Sequence, residues 1–158
     1  MAQDRMWKTP PDVRQNYDHT CWAAVMEAFC NVSPGRPKLD QEQIYDQFKK
    51  VALPDESMDR SGMRRLLGDV RWGITVTEAA ADVFTSGPDF LSQKLGSGHV
   101  VLGYWEQKIG GWHVGLVYGI SGRTVLYLNP DDKTGGRLRD DLSYFGKKGP
   151  LIVGSRKW

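Results

Sequence analysis

The pattern of apolar and polar positions changes near Gly98. Before this residue, apolar side chains recur at helical spacing; after it, β-branched and aromatic runs alternate with turn residues. Helices followed by strands, without βαβ alternation, are typical of an α+β fold. A chain of 158 residues is long enough to bury about two-thirds of its unfolded surface. We therefore expect one domain over 1–158.

Two longer helices are predicted in the first half. CWAAVMEAFCNV, Cys21–Val32, has the length and apolar content of a buried helix, and the run SPGRP ends it. LDQEQIYDQFKKVA, residues 39–52, has apolar residues near helical spacing, with Asp40 as its N-cap. Shorter helices are predicted over 61–67 and near 88–95.

The second half predicts a mostly antiparallel sheet, with strands in HVVLGYWEQ, WHVGLVYGI, TVLYLNP and PLIVGS. A turn at 121–123 pairs Ile120 with Thr124. In that register His113 lies opposite Asp131, and Asn129 is its diagonal neighbour. The glycines that share a face with His113 leave room for another backbone or a substrate.

Composition narrows the classes of function. The chain is 40% hydrophobic and 25% charged, and its 21 basic and 19 acidic residues give a net charge of +2. These values are typical of a globular protein and do not indicate a nucleic-acid partner. The start, MAQDRMWKTPPD, has no apolar core of a Sec signal peptide, and no run approaches the ~18 apolar residues of a membrane span. We expect a cytoplasmic protein, or an effector exported by a non-Sec route.

The cysteines do not predict a disulfide or a metal site. Cys21 and Cys30 are nine residues apart and face opposite sides of the predicted helix. The histidines His19, His99 and His113 show no ligand spacing with them. We therefore expect neither a metal nor another cofactor.

Cys21 has two interpretations, because a free cysteine is more often part of the core than catalytic. At the start of a helix, free amides and the helix dipole favour a thiolate. Gln15, six residues earlier, can supply a side-chain donor that, with the Cys21 N–H, forms an oxyanion hole. For Cys30 the core interpretation holds.

A cysteine nucleophile also needs a base and a group that orients the base. His113, which begins a predicted strand, is the candidate base, and His99 is its rival. Both Asn129 and Asp131 are candidates to orient His113: hairpin geometry slightly favours Asp131, and a bulge at the open end would favour Asn129. His19 is too close to Cys21 in sequence to act across a cleft and is predicted to lie at the cleft rim or elsewhere on the surface.

The order of these residues resembles the papain-like cysteine peptidase superfamily. The similar elements are Gln15, the run Cys21-Trp22-Ala23-Ala24, His113 at a strand start and Asn129-Pro130, with gaps of six from Gln15 to Cys21 and sixteen from His113 to Asn129. The resemblance covers roughly 13–153. It is greatest to the compact bacterial branch, which includes double-glycine leader peptidases and effector cysteine proteases.

The resemblance implies a papain-like α+β fold, in which a helical half carries Gln15 and Cys21 and an antiparallel sheet carries His113 and Asn129. It implies a cysteine protease with a Cys-His-Asn triad and a protein or peptide substrate. Two alternatives remain open: amide, isopeptide or acyl-transfer chemistry on another substrate, and an inactive papain-like binding module. The sequence does not indicate an oligomeric state.

Overall fold

The structure, a computed structural model, describes residues 4–108, 110–131 and 133–157. Helix α1, Cys21–Val32, has the predicted bounds and is buried except at Glu27 and Asn31. Its nearly continuous apolar sequence explains this, because a helix that is apolar on all sides is stable only inside a protein.

Helix α2, Gln41–Phe48, and a 3₁₀ turn, Lys49–Val51, occupy the segment predicted as one helix over 39–52. Asp40 is its N-cap, as predicted. Its carboxylate accepts the Gln43 N–H at 2.9 Å, and the Gln43 side chain accepts the Asp40 N–H at 2.9 Å. This reciprocal capping box fixes the start of the helix at Gln41.

Shorter helices complete the helical part. They are α3, Arg60–Leu67; α4, Asp82–Thr85; α5, Asp89–Lys94; and α6, Leu142–Gly146, with 3₁₀ turns at Val70–Trp72 and Leu95–Ser97. The predicted helices over 61–67 and near 88–95 correspond to α3 and α5. In the described part of the chain, no helix has both the length and the apolarity needed to cross a membrane.

Among the described residues, seven strands form one antiparallel sheet. They are β1, Arg5–Met6; β2, Ile74–Ala79; β3, Val100–Glu106; β4, Gly111–Ser121; β5, Thr124–Asn129; β6, Gly136–Asp141; and β7, Leu151–Arg156. The order across the sheet is β2-β7-β3-β4-β5-β6, and β1 pairs with β4. The antiparallel sheet was predicted, but β1 and the two edge strands β2 and β6 were not.

The β4–β5 hairpin corrects the predicted turn. Ser121 pairs with Thr124, and Ile120 pairs with Val125, so the turn is two residues long and starts at Gly122. The predicted pairing of Ile120 with Thr124 is wrong. Gly122 has φ +58°, which glycine adopts without strain, and two-residue turns suit the twist of hairpin strands.

An irregularity between Val117 and Gly119 then shifts the pairing by one residue, so that Val117 lies opposite Tyr127. Beyond it the strands follow the predicted register, and Asn129 is the diagonal neighbour of His113. The shift lies where β1 meets β4. A Cβ at Gly119 would come within 2.9 Å of the Met6 sulfur and 3.1 Å of the Arg5 carbonyl oxygen. This glycine therefore makes room for another backbone, as expected.

Both faces of the sheet are covered. Helices α1, α2 and α3 pack on one face, against side chains that include Val114, Leu116 and Ile152. Helices α4, α5 and α6 pack on the other face, against Val117, Tyr127 and neighbouring side chains. The helical half was predicted to cover the first face; the layer on the second face was not predicted. The first turn of α1 and the first residues of β4 meet at one end of the sheet.

Candidate active site

Cys21 is the first residue of α1 and is 6% exposed. Thr20 precedes it as N-cap but makes no side-chain bond to the helix. Because the first N–H groups of a helix have no acceptor within it, the Cys21 amide can donate to an anion at this position. At Cys21, the thiol therefore lies beside a free backbone amide at the start of the helix.

His113 contacts the Cys21 thiol from the start of β4. It is 5% exposed, it lines the same cleft as Cys21, and it is close enough to interact with the Cys21 side chain. Its Nε2 lies 2.7 Å from Asn129 Oδ1. An amide oxygen only accepts, so Nε2 carries the hydrogen, and Nδ1 is left to face the sulfur.

Asn129 ends β5 and holds the imidazole from the side away from the thiol. Its Oδ1 also accepts the Asp131 N–H, at 3.0 Å. Two donors converge on this oxygen, which fixes the orientation of the amide group. Of the two candidates to orient His113, Asn129 makes the hydrogen bond, and it does so diagonally, without a bulge at the open end of the hairpin.

Asp131 acts on the loop that follows the hairpin. Its Oδ1 accepts the N–H groups of Lys133 and Thr134 at 2.9 and 2.8 Å. Burial tends to raise the pKa of Asp131, but these bonds and the nearby His113 outweigh it and lower the pKa below its ordinary value. Asp131 therefore contributes a negative charge near His113 and no hydrogen bond.

The surroundings of His113 favour its charged form. Burial acts to lower the pKa of His113, but several effects oppose it: the charge and hydrogen bond of Cys21, the bond to Asn129 and the charge of Asp131. The net result raises the pKa from 6.5 to about 9. At neutral pH His113 is therefore suited to its charged form, and a charged imidazole beside a cysteine favours nucleophilic attack by the sulfur.

Gln15 lines the same cleft as Cys21 and His113. Its backbone N–H donates to Pro130 O at 2.8 Å, which joins its loop to the turn after Asn129. Its side-chain Nε2 donates to Tyr17 O at 3.0 Å and Asp18 O at 2.7 Å. Both amide hydrogens are therefore used within its own loop, and one must be released before Gln15 can donate to a substrate oxygen.

Gln41, which sequence reasoning missed, holds this loop from α2. Its side chain accepts the Asn16 N–H at 3.0 Å and donates to Arg14 O at 2.7 Å. One buried amide group thus binds the backbone on both sides of Gln15. A glutamine at the first position of a helix, with no distinctive spacing from Gln15, gives no signal of this role.

The other two histidines have different partners. His99 is buried, its Nε2 is 2.6 Å from Lys8 O and its ring lies beside Trp7; burial lowers its pKa. His19 has a half-exposed side chain at the cleft rim, as expected, with Nδ1 2.9 Å from Asp55 O. Of the three histidines, His113 is the one whose imidazole interacts with the Cys21 side chain.

Cys30 belongs to the core. It is 1% exposed, and both cysteines are free thiols. Burial raises the pKa of Cys30, which keeps it protonated and unreactive at neutral pH. Among the residues that the structure describes, no three His, Cys, Asp or Glu side chains are grouped so as to hold a metal ion.

The cleft at Cys21 has a volume of about 390 Å³, and three of its lining side chains are carboxylates: Asp18, Asp55 and Asp131. Asp18 and Asp55 also line an adjoining groove with Glu56. Hydrogen bonding to Glu56, burial and nearby negative charges raise the pKa of Tyr45 to about 12. The turns at Asp18 and Asp55 therefore give one wall of the cleft a negative charge, while Lys133 lines the same cleft with a positive charge.

Comparison with known proteins identifies solved structures that share this fold. No family model matches the chain, and no curated protein matches it. Solved structures do. The peptidase domain of Streptococcus ComA, a bi-functional ABC transporter, is similar with a TM-score of 0.65 at 14% identity, covering 92% of this chain and 97% of that one. A C39-like peptidase from Bacillus anthracis has a TM-score of 0.64 at 11% identity and 98% coverage of each chain.

A third structure is a double glycine motif protease from an AMS/PCAT transporter in complex with its leader peptide, with a TM-score of 0.60 at 11% identity, covering 98% of this chain and 99% of that one. The chain has the papain-like fold of compact bacterial peptidase domains. The resemblance and the α+β fold predicted from the sequence are thus confirmed at the level of the fold.

The first prediction concerns thiol reactivity. Iodoacetamide at pH 6 to 7 is expected to label Cys21 at least ~10-fold faster than Cys30, because Cys21 lines the cleft beside a charged His113 while burial keeps Cys30 protonated. His113→Gln is expected to slow the labelling of Cys21 and so reduce the difference, and His99→Gln is expected to preserve it. Mass spectrometry of each cysteine-containing peptide measures both rates. Equal labelling in the wild type, or loss of the difference only in His99→Gln, would contradict this assignment.

The second prediction concerns the turn that carries Asn129. A Cβ at Gly135 would overlap the carbonyl oxygens of Asn129 and Asp131. Gly135→Ala is therefore expected to lower the free energy of unfolding by about 1–3 kcal/mol and to slow Cys21 labelling at pH 6, because Asn129 moves. Gly96→Ala, whose Cβ would meet its nearest neighbour at 3.9 Å, is the control. If Gly135→Ala had the melting temperature and the Cys21 labelling rate of the wild type, the turn would accommodate the added methyl group.

Proposed function

We propose that the protein is a cysteine peptidase, with Cys21 as nucleophile, His113 as acid and base, and Asn129 as the group that orients His113. The observation that carries the proposal is the unbroken chain of contacts from the Cys21 thiol through His113 to Asn129. This chain of contacts begins at the first residue of α1, in a fold shared with bacterial peptidase domains.

The first chemical step is attack of the Cys21 thiolate on the carbonyl carbon of the substrate. The carbonyl oxygen becomes an oxyanion, which the Cys21 N–H stabilises, together with the Gln15 amide when it releases one of its loop bonds. His113 then gives its proton to the leaving amine, the C–N bond breaks and a thioester remains.

The second step is hydrolysis. His113, now neutral, takes a proton from water as the water attacks the thioester, and the thiolate leaves with the bond electrons. The carboxylic acid product departs and the thiolate–imidazolium pair is restored. Asn129 keeps a hydrogen on Nε2 in both steps, because its bond to Nε2 fixes the tautomer, so Nδ1 is the nitrogen that gives and takes the proton.

A peptide is the substrate class best supported. One structure of the same fold is a protease bound to its leader peptide. The cleft wall of this chain carries the Asp18 and Asp55 carboxylates. These carboxylates are exposed to solvent, so their attraction is screened by water and salt, but its sign favours a peptide with a basic side chain near the scissile bond.

The third prediction tests the reaction and its substrate. Wild-type protein is expected to cleave a proteome-derived peptide library, with Lys or Arg enriched beside the cleaved bonds, whereas Cys21→Ala is expected to release no new N-termini. Mass spectrometry of the products provides the readout. Muropeptides, isopeptide-linked conjugates and an added amine acceptor are assayed in parallel.

The outcomes separate the candidate functions. Cleavage of muropeptides or isopeptides alone, or transfer of the acyl group to the amine, would replace the peptidase by the amidase, isopeptidase or acyltransferase alternative. No turnover in any assay, with Cys21 also unreactive toward iodoacetamide, would favour the inactive binding module.

The fourth prediction concerns the oxyanion donor. Gln15→Ala is expected to lower kcat by about 10- to 1,000-fold, the range for one lost donor, with little change in KM. Alkylation of Cys21 forms no oxyanion, so its rate is expected to stay near that of the wild type. Slower alkylation would show that Gln15 acts only by shaping the loop, and unchanged kcat would remove it from the mechanism.

A further inference from the structure

The bond to Asn129 leaves one degree of freedom of His113 unfixed. A single hydrogen bond at Nε2 sets the position of that atom, but the ring can still turn about the line that joins Nε2 to Oδ1. The ring torsion of histidine is broad, so the side chain itself does not fix the plane. If the plane turned, Nδ1 would leave the thiol while the bond to Asn129 survived.

Tyr104 supplies the missing constraint. It lies on β3, directly opposite His113 in the sheet, and is 0% exposed. The two rings meet edge to face, with centroids 5.7 Å apart and planes at 76°. Tyr104 is itself held edge to face by Phe145 at 5.5 Å and 80°. The wall beside the imidazole is therefore rigid.

We propose that Tyr104 is a positioning residue, whose ring fixes the plane of the His113 imidazole so that Nδ1 faces Cys21. This rests on the proposed function, because it assumes that the His113–Cys21 pair reacts. Asn129 and Tyr104 then have separate roles, since Asn129 sets where Nε2 lies and Tyr104 sets how the ring is turned.

The surroundings of the Tyr104 hydroxyl indicate that the ring, and not the hydroxyl, positions His113. Its Oη is buried and has no hydrogen-bond partner among the described residues. A buried polar group without a partner destabilises the fold. Removing the hydroxyl and keeping the ring is therefore expected to raise the melting temperature and to preserve the orientation of His113.

The experiment compares variants that separate ring, hydroxyl and general packing. Tyr104→Leu removes the ring, and Tyr104→Phe removes only the hydroxyl. Phe84→Leu is the matched control, because Phe84 is fully buried in the same apolar cluster and packs against Phe90 and Phe145. Tyr104→Met is the second variant without a ring, for use if Tyr104→Leu does not fold.

The readouts are the melting temperature, the rate of Cys21 alkylation at pH 6, and kcat and KM on a cleaved peptide. Tyr104→Leu is expected to slow alkylation and lower kcat by about tenfold, as loss of one aromatic contact predicts, with KM unchanged. Tyr104→Phe is expected to keep both rates at the wild-type level and to melt at a higher temperature than the wild type. Phe84→Leu is expected to lower the melting temperature only.

Several results would overturn the proposal. Wild-type alkylation in Tyr104→Leu would show that Asn129 alone orients His113. If Phe84→Leu slowed alkylation as much as Tyr104→Leu does, a loosened core would be the cause. If Tyr104→Phe reacted more slowly than the wild type, the hydroxyl and not the ring would position His113. A wild-type Cys21 of ordinary reactivity would instead remove the proposed function, and the role of Tyr104 with it.

Discussion

The contact between the Cys21 side chain and the His113 imidazole joins two elements that are far apart in sequence, the first turn of α1 and the first residues of β4. Both side chains are more than nine-tenths buried. Burial disfavours a charged imidazole unless partners compensate it, and Cys21, Asn129 and Asp131 supply that compensation. The packing of α1 on the sheet must therefore be accurate, because the pair forms only where helix start and strand start coincide.

The loops on either side of this contact form one connected unit. The Gln15 N–H binds Pro130 O, so the loop before the nucleophile is joined to the turn that carries Asn129. Gln41 binds the backbone on both sides of Gln15 and fixes that loop to α2. Consequently a shift of the Asn129 turn is transmitted to Gln15, and the groups around the thiol are positioned together.

Much of the fold and of the candidate site could be predicted from the sequence, because local patterns determine the elements that carry the site residues. The apolar run of α1 and the Asp40 cap set the helices. The two-residue period of the hairpin brought His113 and Asn129 together. The turn was mispredicted by one residue, although Gly122 suits a two-residue turn. The shift that restores the predicted register at His113 lies where Met6 of β1 packs over Gly119. No pattern within the hairpin encodes a contact made more than 100 residues earlier in the chain.

The missed features have several causes. Strand β6, GRLRDD, is an edge strand with charged side chains, and such strands lack the apolar alternation by which strands are recognised. Tyr104 was part of a predicted strand, but its place opposite His113 follows from the β3–β4 register, which that prediction did not specify. Gln41 and the loop bonds of Gln15 depend on side-chain geometry that the sequence does not specify.

The loop bonds of Gln15 make physical sense within the proposed mechanism. In the free protein, Nε2 binds two neutral carbonyl oxygens, of Tyr17 and Asp18. A substrate carbonyl is another neutral acceptor, so exchanging one of these bonds for it brings no gain. Once the thiolate attacks, the oxygen becomes an anion, and hydrogen bonds to ionised acceptors are roughly twice as strong as neutral ones. The exchange then becomes favourable, so Gln15 would bind the transition state and leave the ground state alone, which is the condition for raising kcat.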